Sequence, residues 1–235
     1  MPNWVDNTIV IKGLQIELDA IENKVRKTIT TDERGEETIY DLSGQLYPMP
    51  EEISNLDGTG DTIRRFRDLD GNVVKVDQMR AMSFYQMNDE ELLGEGYTME
   101  TLTEDELKEL DEKYGAHDWY DWNNKNYGTK WGDCETRVTR ENKTTLLYHF
   151  HTAWSPSIAL TQKIAERWSV DEIVHEYFSM ENADKGTVKF NDEGRIISQH
   201  WEELDESYFD FGHLPHDDVE TEHASARNTA KEIFG

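Results

Sequence analysis

The chain opens with a short apolar-rich run, NTIVIK at 7–12, closed by Gly13. That pattern predicts a strand. Leu14, Leu18, Ile21 and Val25 then recur at steps of three and four, which predicts an amphipathic helix from Leu14 to Thr28. Residues 30–43 are polar and contain Gly35, the pattern of a loop or an exposed hairpin. In GQLYPMP (44–50) the apolar positions lie beside Pro48 and Pro50. Proline cannot donate to a ladder, so the expectation is an edge strand or a pinned extended segment.

Residues 51–114 change character. Ile63–Leu69 and Val73–Asp77 flank Asp70 and Gly71, which predicts a hairpin with a tight primed turn. Asp68, Asp70 and Asp77 invite a calcium-loop reading. The first position of that twelve-residue pattern would be Phe66, which offers no oxygen. Thr103 followed by Glu106 matches a capping box. It predicts a helix running to about Tyr114, with Gly115 as its stop and only Leu107 and Leu110 as an apolar stripe. Residues 117–131, HDWYDWNNKNYGTKW, place three tryptophans and two tyrosines among Asn, Asp and Gly. They fit neither helical nor strand periodicity.

Beyond these, Cys134–Arg140 and Thr144–Trp154 read as a hairpin turning at Asn142-Lys143. Ser155 as N-cap and Pro156 at the first helical position predict a helix to about Ser169. Strands are expected over 171–180, 187–190 and 195–201, the last two joined by a loop in which Gly194 takes the left-handed conformation. A short final helix is expected over 224–234. The order places two strand–helix units beside antiparallel pairing. It predicts an α+β chain, a ferredoxin-like split βαβ sandwich with helices on one face of an antiparallel sheet. The 235 residues divide into a core at 1–50 and 115–201, an acidic insertion at 51–114 and an acidic C-terminal extension at 202–235.

Charge adds what periodicity cannot. Fifty Asp and Glu oppose 24 Lys and Arg, a formal net charge of −26. Such a chain repels phosphate backbones, so direct gripping of DNA or RNA is disfavoured, and so is an anionic membrane surface. The lone Cys134 excludes an internal disulfide and suits a reducing compartment. No apolar run is long enough to span a bilayer, and MPNWVDNTIVIKG does not read as a signal peptide. The expectation is a soluble cytoplasmic protein.

MPNWVDNTIVIKG, YPMPEE (47–52), DWYDWNNKNYGTKW (118–131) and FHTAWSP (150–156) together resemble the YubB-type ferredoxin-like domain family. The strand region HEYFSMENADKGTVKFNDEG (175–194) is similar to that family's C-terminal strands. The resemblance spans roughly 1–50 and 115–201, and Ser157 stands where family members often carry a second proline. It implies a ferredoxin-like fold and an origin in phages or plasmids, so that the cytoplasm in question is that of a host. It brings no established activity, and fold alone does not fix function.

Candidate chemistry is sparse. His149 and His151 share a strand face, and with His175 they would offer three imidazoles to a metal, the basis of a metal-dependent enzyme reading. An ordinary polar or half-buried sheet face is the favoured explanation, since nothing in the sequence places His175 beside the pair. No phosphate-cradling glycine motif occurs, and no cofactor is implied. The aromatics of 119–131 would stack on bases if the sheet face bound a nucleotide or a single strand. Alternatively, they pin an irregular segment to the sheet.

The most distinctive feature is acid concentrated in two places. Residues 89–112 hold eleven acids and one base, Lys108, and residues 202–222 hold nine acids and neither Lys nor Arg. Ordered carboxylates can imitate a phosphate backbone and occupy a basic groove, and embedded aromatics supply anchors. The candidate partner-binding set is Asp89, Glu90, Glu91, Glu95, Tyr97, Glu104, Asp105 and Glu109 in the insertion. The extension adds Glu202, Glu203, Asp205, Glu206, Tyr208, Phe209, Asp210 and Phe211. The function these residues imply is non-enzymatic binding, and inhibition, of a host protein with a basic surface, such as a defence or nucleic-acid-binding protein. A solvated acidic face that only aids solubility is the alternative. Oligomeric state is not legible.

Overall fold

A computed structural model describes residues 3–31, 35–75 and 89–204. The expected final helix and the candidate residues from Asp205 onward lie outside the described residues. Among the described residues, no helix is long and apolar enough to cross a membrane.

The main sheet has six strands. They are β1 (Trp4–Lys12), β8 (Cys134–Asn142), β9 (Thr145–Ala153), β10 (Glu172–Ser179), β11 (Asp184–Asn191) and β12 (Ile196–Glu203). Their spatial order is β12-β11-β10-β1-β9-β8, and every pairing is antiparallel. The quartet β10-β1-β9-β8, with one helix after β1 and one after β9, is the split βαβ arrangement. The domain is therefore ferredoxin-like and α+β, with β11 and β12 extending one edge. Helix α1 (Gln15–Val25) follows β1, and α7 (Ile158–Arg167) joins β9 to β10.

Alternation along the strands sets the two faces. Val5, Asn7, Ile9 and Ile11 of β1 point toward the helices with Leu146, Tyr148, Phe150, Ile173 and Phe190. There they pack with Leu18 and Ile21 of α1 and Leu160 and Ile164 of α7. Trp4, Asp6, Thr8, Val10 and Lys12 lie on the other face.

Between α1 and β8 the chain builds a large crossover. The hairpin β2 (Arg26–Thr31) and β3 (Gly35–Tyr40) comes first, then the short helices α2 (Leu42–Leu46) and α3 (Glu51–Ser54). A small antiparallel sheet follows, made of β4 (Leu56–Asp57), β5 (Arg64–Arg67), β6 (Val73–Val74) and β7 (Thr98–Thr101). Helices α4 (Asp89–Gly94), α5 (Glu104–Tyr114) and α6 (Trp119–Asn126) complete it. Leu42, Leu46, Ile53, Ala116, Trp122 and Tyr127 join the main core, so the root of the crossover is part of the domain. Farther out, Phe66 and Leu92 form a separate small core with Val74 and Tyr97.

Several local expectations are corrected. The first helix ends at Val25, because the β-branched run Thr28-Ile29-Thr30-Thr31 favours a strand. The segment before Pro48 is helical, since the Asp41 carboxylate caps the Gly44 N–H at 2.8 Å. The loop at Asp70-Gly71 is longer than a two-residue turn: Arg67 pairs Val73, and the Asp68 carboxylate accepts from the Asp70 and Asn72 N–H groups. Residues 119–126 form a helix because Asp118 caps Asp121 N at 2.7 Å. Helix α7 starts after Ser157. The Ser155 hydroxyl is diverted to Gly128 O at 2.6 Å.

Candidate functional site

The acidic residues of the insertion are carried on ordered elements organised by three arginines. Alternation would send Arg64, Phe66 and the residues between to opposite faces of β5, and Phe66 is fully buried. Arg64 pairs with Asp57 and with Asp89 at the start of α4. Arg65 reaches Glu100 of β7 at 2.9 Å and Glu106 of α5 at 3.3 Å, and Arg67 reaches Glu100 at 3.0 Å. β5 thus ties both acidic helices to one strand. The Arg65 and Arg67 bonds hold the Glu100 carboxyl below its ordinary range.

Helix α5 is capped as its sequence predicts. Thr103 Oγ1 accepts from Glu106 N at 3.3 Å, and Thr103 N donates to Glu106 Oε2 at 2.8 Å. The bonds that the Thr103 N–H and hydroxyl donate to the Glu106 carboxylate hold it below its ordinary range. Gly115 ends the helix at φ +73°. Lys113 and Tyr114 both bond Glu52, which holds the C-terminal turn against α3. No residue of α5 is buried, so Glu104, Asp105 and Glu109 are displayed from a backbone fixed at both ends.

Not every candidate residue is equally placed for a partner. Asp89 is engaged by Arg64, and Tyr97 packs against the Phe66–Leu92 core. Glu90, Glu91 and Glu95 lie on or beside α4. Glu202 and Glu203 sit on a different element, the outer strand β12, where Lys185 approaches Glu202 at 3.5 Å. Asp205, Glu206, Tyr208, Phe209, Asp210 and Phe211 lie outside the described residues.

The three histidines are not brought together. His149 and His151 stand on the sheet face away from α1 and α7, as their spacing predicts. His149 Nδ1 meets Thr8 Oγ1 at 3.0 Å, and His151 pairs with Asp6 at 2.8 Å and approaches Glu135 at 3.6 Å. His175 points to the opposite face, because its strand position pairs with Ile9 rather than with Thr8. Among the described residues, no group of three or more His, Cys, Asp and Glu comes close enough to hold a metal.

His175 instead anchors a buried polar network that sequence reasoning missed. Its Nε2 donates to Asn7 Oδ1 at 2.9 Å, which leaves Nδ1 to accept from the Thr161 hydroxyl at 2.6 Å. Asn7 Nδ2 donates to Val5 O at 2.8 Å and to Thr152 Oγ1 at 2.9 Å, and Thr152 donates on to Ser155 O. Complete burial pushes the imidazole down to about 3, so it is neutral. With no solvent access, this network fixes the seat of α7 on β1, β9 and β10 and offers no surface for chemistry. The only sequence signal was polar residues at positions whose neighbours alternate into the core.

Part of the aromatic segment pins the chain to the main core. Trp122 and Tyr127 are buried, Trp122 stacking on Tyr47 at 5.9 Å and meeting Tyr127 edge-on at 5.1 Å. Trp131 is half-exposed beside Trp4, with rings 6.4 Å apart and Lys130 over it. Cys134 is half-buried, and burial together with Asp133 and Glu135 raises its thiol, the opposite of a nucleophile's environment.

The family comparison bears out the ferredoxin-like fold. A family model described as the ferredoxin-like domain in Api92-like protein matches residues 127–224, a little under half of the chain. That region supplies β8 to β12, while the central strand β1 comes from the N-terminus. A crystal structure of the protein Api92 from Yersinia pseudotuberculosis is 13% identical, covering 87% of this chain and 99% of that one, with a TM-score of 0.45. No curated protein matches the chain.

Proposed function

We propose that this chain is a non-enzymatic interaction protein of a phage or other mobile element. It presents ordered negative charge to the basic surface of a host protein, in the host cytoplasm. A defence or nucleic-acid-binding protein fits the chemistry, because carboxylates spaced along a rigid helix compete for the same groove as a phosphate backbone. The observation that carries this reading is α5. It is a capped helix without a buried residue, braced by Arg65 and Glu52, whose outward side chains include Glu104, Asp105 and Glu109. A face serving solubility alone needs no such bracing. The reading in which the sheet face away from α1 and α7 binds a nucleotide or single strand draws on Trp4 and Trp131. Buried Val10, Leu147 and Val174 fill the middle of that face, and Asp6, Glu135 and Glu176 on or beside it oppose phosphate, which favours the first reading.

The test is affinity capture from host extract at low salt. Bait is the wild-type chain or the triple variant Glu104→Lys, Asp105→Lys, Glu109→Lys. The wild type is expected to retain a basic protein that duplex DNA displaces and added salt releases, and the triple variant is expected to lose it. Retention of the same proteins by both baits, or retention that DNA does not compete, refutes the proposal.

A further inference from the structure

Tryptophan is divided in this chain between core and surface. Trp122 belongs to the main core, whereas the neighbouring rings Trp4 and Trp131 are 43% and 37% exposed. A single exposed ring needs no explanation, but exposed aromatics gathered in one patch are the common anchors of recognition. The two rings stand 6.4 Å apart and are tilted by 42°, so they form an open wedge and not a closed stack. His151 meets Trp4 edge-on at 6.4 Å and extends the same surface.

Two carboxylates border the wedge. Asp6 follows Trp4 by two positions on β1, so alternation sets both on the face away from α1 and α7, about 7 Å apart along the strand. Asp6 Oδ1 engages His151 Nε2 at 2.8 Å, and Glu135 approaches Nδ1 of the same ring at 3.6 Å. Glu135 arrives there through a bulge. Cys134 pairs with His151 and Arg137 with His149, so three steps on β8 span two on β9. Glu135 takes φ +53° within it, and bulges re-aim side chains in this way. Both carboxylates are more than half exposed.

This surface selects for positive charge. Lys130 Nζ already lies 4.9 Å from the centroid of the Trp131 ring, which shows the ring in use as a seat for a cation. Asp6, Glu135 and the net charge of −26 all oppose an anion. Among cations, an ammonium is a compact and strongly hydrated point charge. A guanidinium is planar and weakly hydrated, and it can stack on an indole while its fork of N–H groups meets a carboxylate. Trp4 and Asp6, adjacent on one strand face, offer both contacts to one group.

We propose that Trp4, Trp131, His151, Asp6 and Glu135 form a seat for an arginine side chain of a peptide or protein partner. The guanidinium stacks on Trp4 and donates to the Asp6 and Glu135 carboxylates. No residue of α5 takes part, so the seat stands whether or not that helix meets a partner.

The indole N–H signals of Trp4 and Trp131 in the full chain report on it at constant ionic strength. The probes are acetyl-arginine amide, its neutral isostere acetyl-citrulline amide, and acetyl-lysine amide. The arginine amide is expected to shift both signals saturably and to bind about tenfold more tightly than the citrulline amide. The lysine amide is expected to bind more weakly than the arginine amide. Asp6→Asn combined with Glu135→Gln changes two exposed side chains and should weaken arginine binding about tenfold. The variant Glu104→Lys, Asp105→Lys, Glu109→Lys should bind the arginine amide as the wild type does, which separates this seat from general attraction to an acidic chain and from the role of α5. Equal binding of the citrulline or lysine amide, arginine binding that survives loss of both carboxylates, or its loss in the α5 variant overturns the proposal. So does a saturable shift of the same signals by adenosine monophosphate in place of the arginine amide.

Discussion

Protonating His175 should unlock the seat of α7. The imidazole is fully buried, both nitrogens are engaged, and its pKa in the folded chain is about 3 against 6.5 for an ordinary histidine. The folded state therefore binds fewer protons than the unfolded state between these values, and stability falls as pH falls through that window. Above pH 6.5 the histidine costs nothing. At pH 5 the difference of about 1.5 pH units is worth about 2 kcal/mol, and by pH 3 the loss approaches about 5 kcal/mol. This opposes a second trend. Acid also removes some of the −26 net charge, whose self-repulsion burdens the compact state. The two are separated by His175→Gln, which retains one donor and one acceptor but does not titrate. Urea unfolding followed by tryptophan fluorescence at pH 7, 6 and 5 should show the wild type losing about 2 kcal/mol more than the variant between pH 7 and 5. Should the variant fail to fold, the His175 ring protons of the wild type provide the check, since they should show no titration between pH 8 and 5. Parallel losses in the two proteins, or a His175 that titrates near 6.5, would refute the reasoning.

Two further changes test the joints between the crossover and the sheet. Asp133 accepts from Leu42 N at 2.9 Å, from Ser43 N and Ser43 Oγ at 2.7 Å each, and from the Thr136 hydroxyl. Asp133→Asn replaces an acceptor oxygen with a donor facing donors, and should lower stability by about 2–3 kcal/mol in urea titration at unchanged slope. A loss under about 0.5 kcal/mol would mean that α2 does not depend on this carboxylate. Trp122→Ala removes the ring between Tyr47 and Tyr127 and should cost about 3–5 kcal/mol. A thermal scan that leaves the midpoint unmoved would show that α6 is not part of the main core.

What the sequence determined by itself was whatever rests on neighbours a few residues apart. Capping of α5 is written in Thr103, Glu106 and Gly115, and the structure reproduces it. The β8–β9 and β11–β12 hairpins and the ferredoxin-like order of elements follow from local alternation and turn residues, which act before any tertiary contact forms. The displayed acid of Glu104, Asp105 and Glu109 was legible for the same reason, since a helix with a narrow apolar stripe has little to bury. The tertiary structure decided the rest, because it depends on partners far apart in the chain. His175 looked interchangeable with His149 and His151 until the β1–β10 register set it opposite Ile9 and turned it inward, 168 positions from Asn7, its partner. Arg64, Arg65 and Arg67 read only as part of a hairpin strand, yet they meet acids 25 to 41 positions away and hold the acidic helices in place. The aromatic run 119–131 lacked a period because Trp122 and Tyr127, besides meeting edge-on, both answer to Tyr47 across the fold. Short-range hydrogen bonds and period leave marks in a sequence. Long-range pairing does so only through the geometry that folding creates.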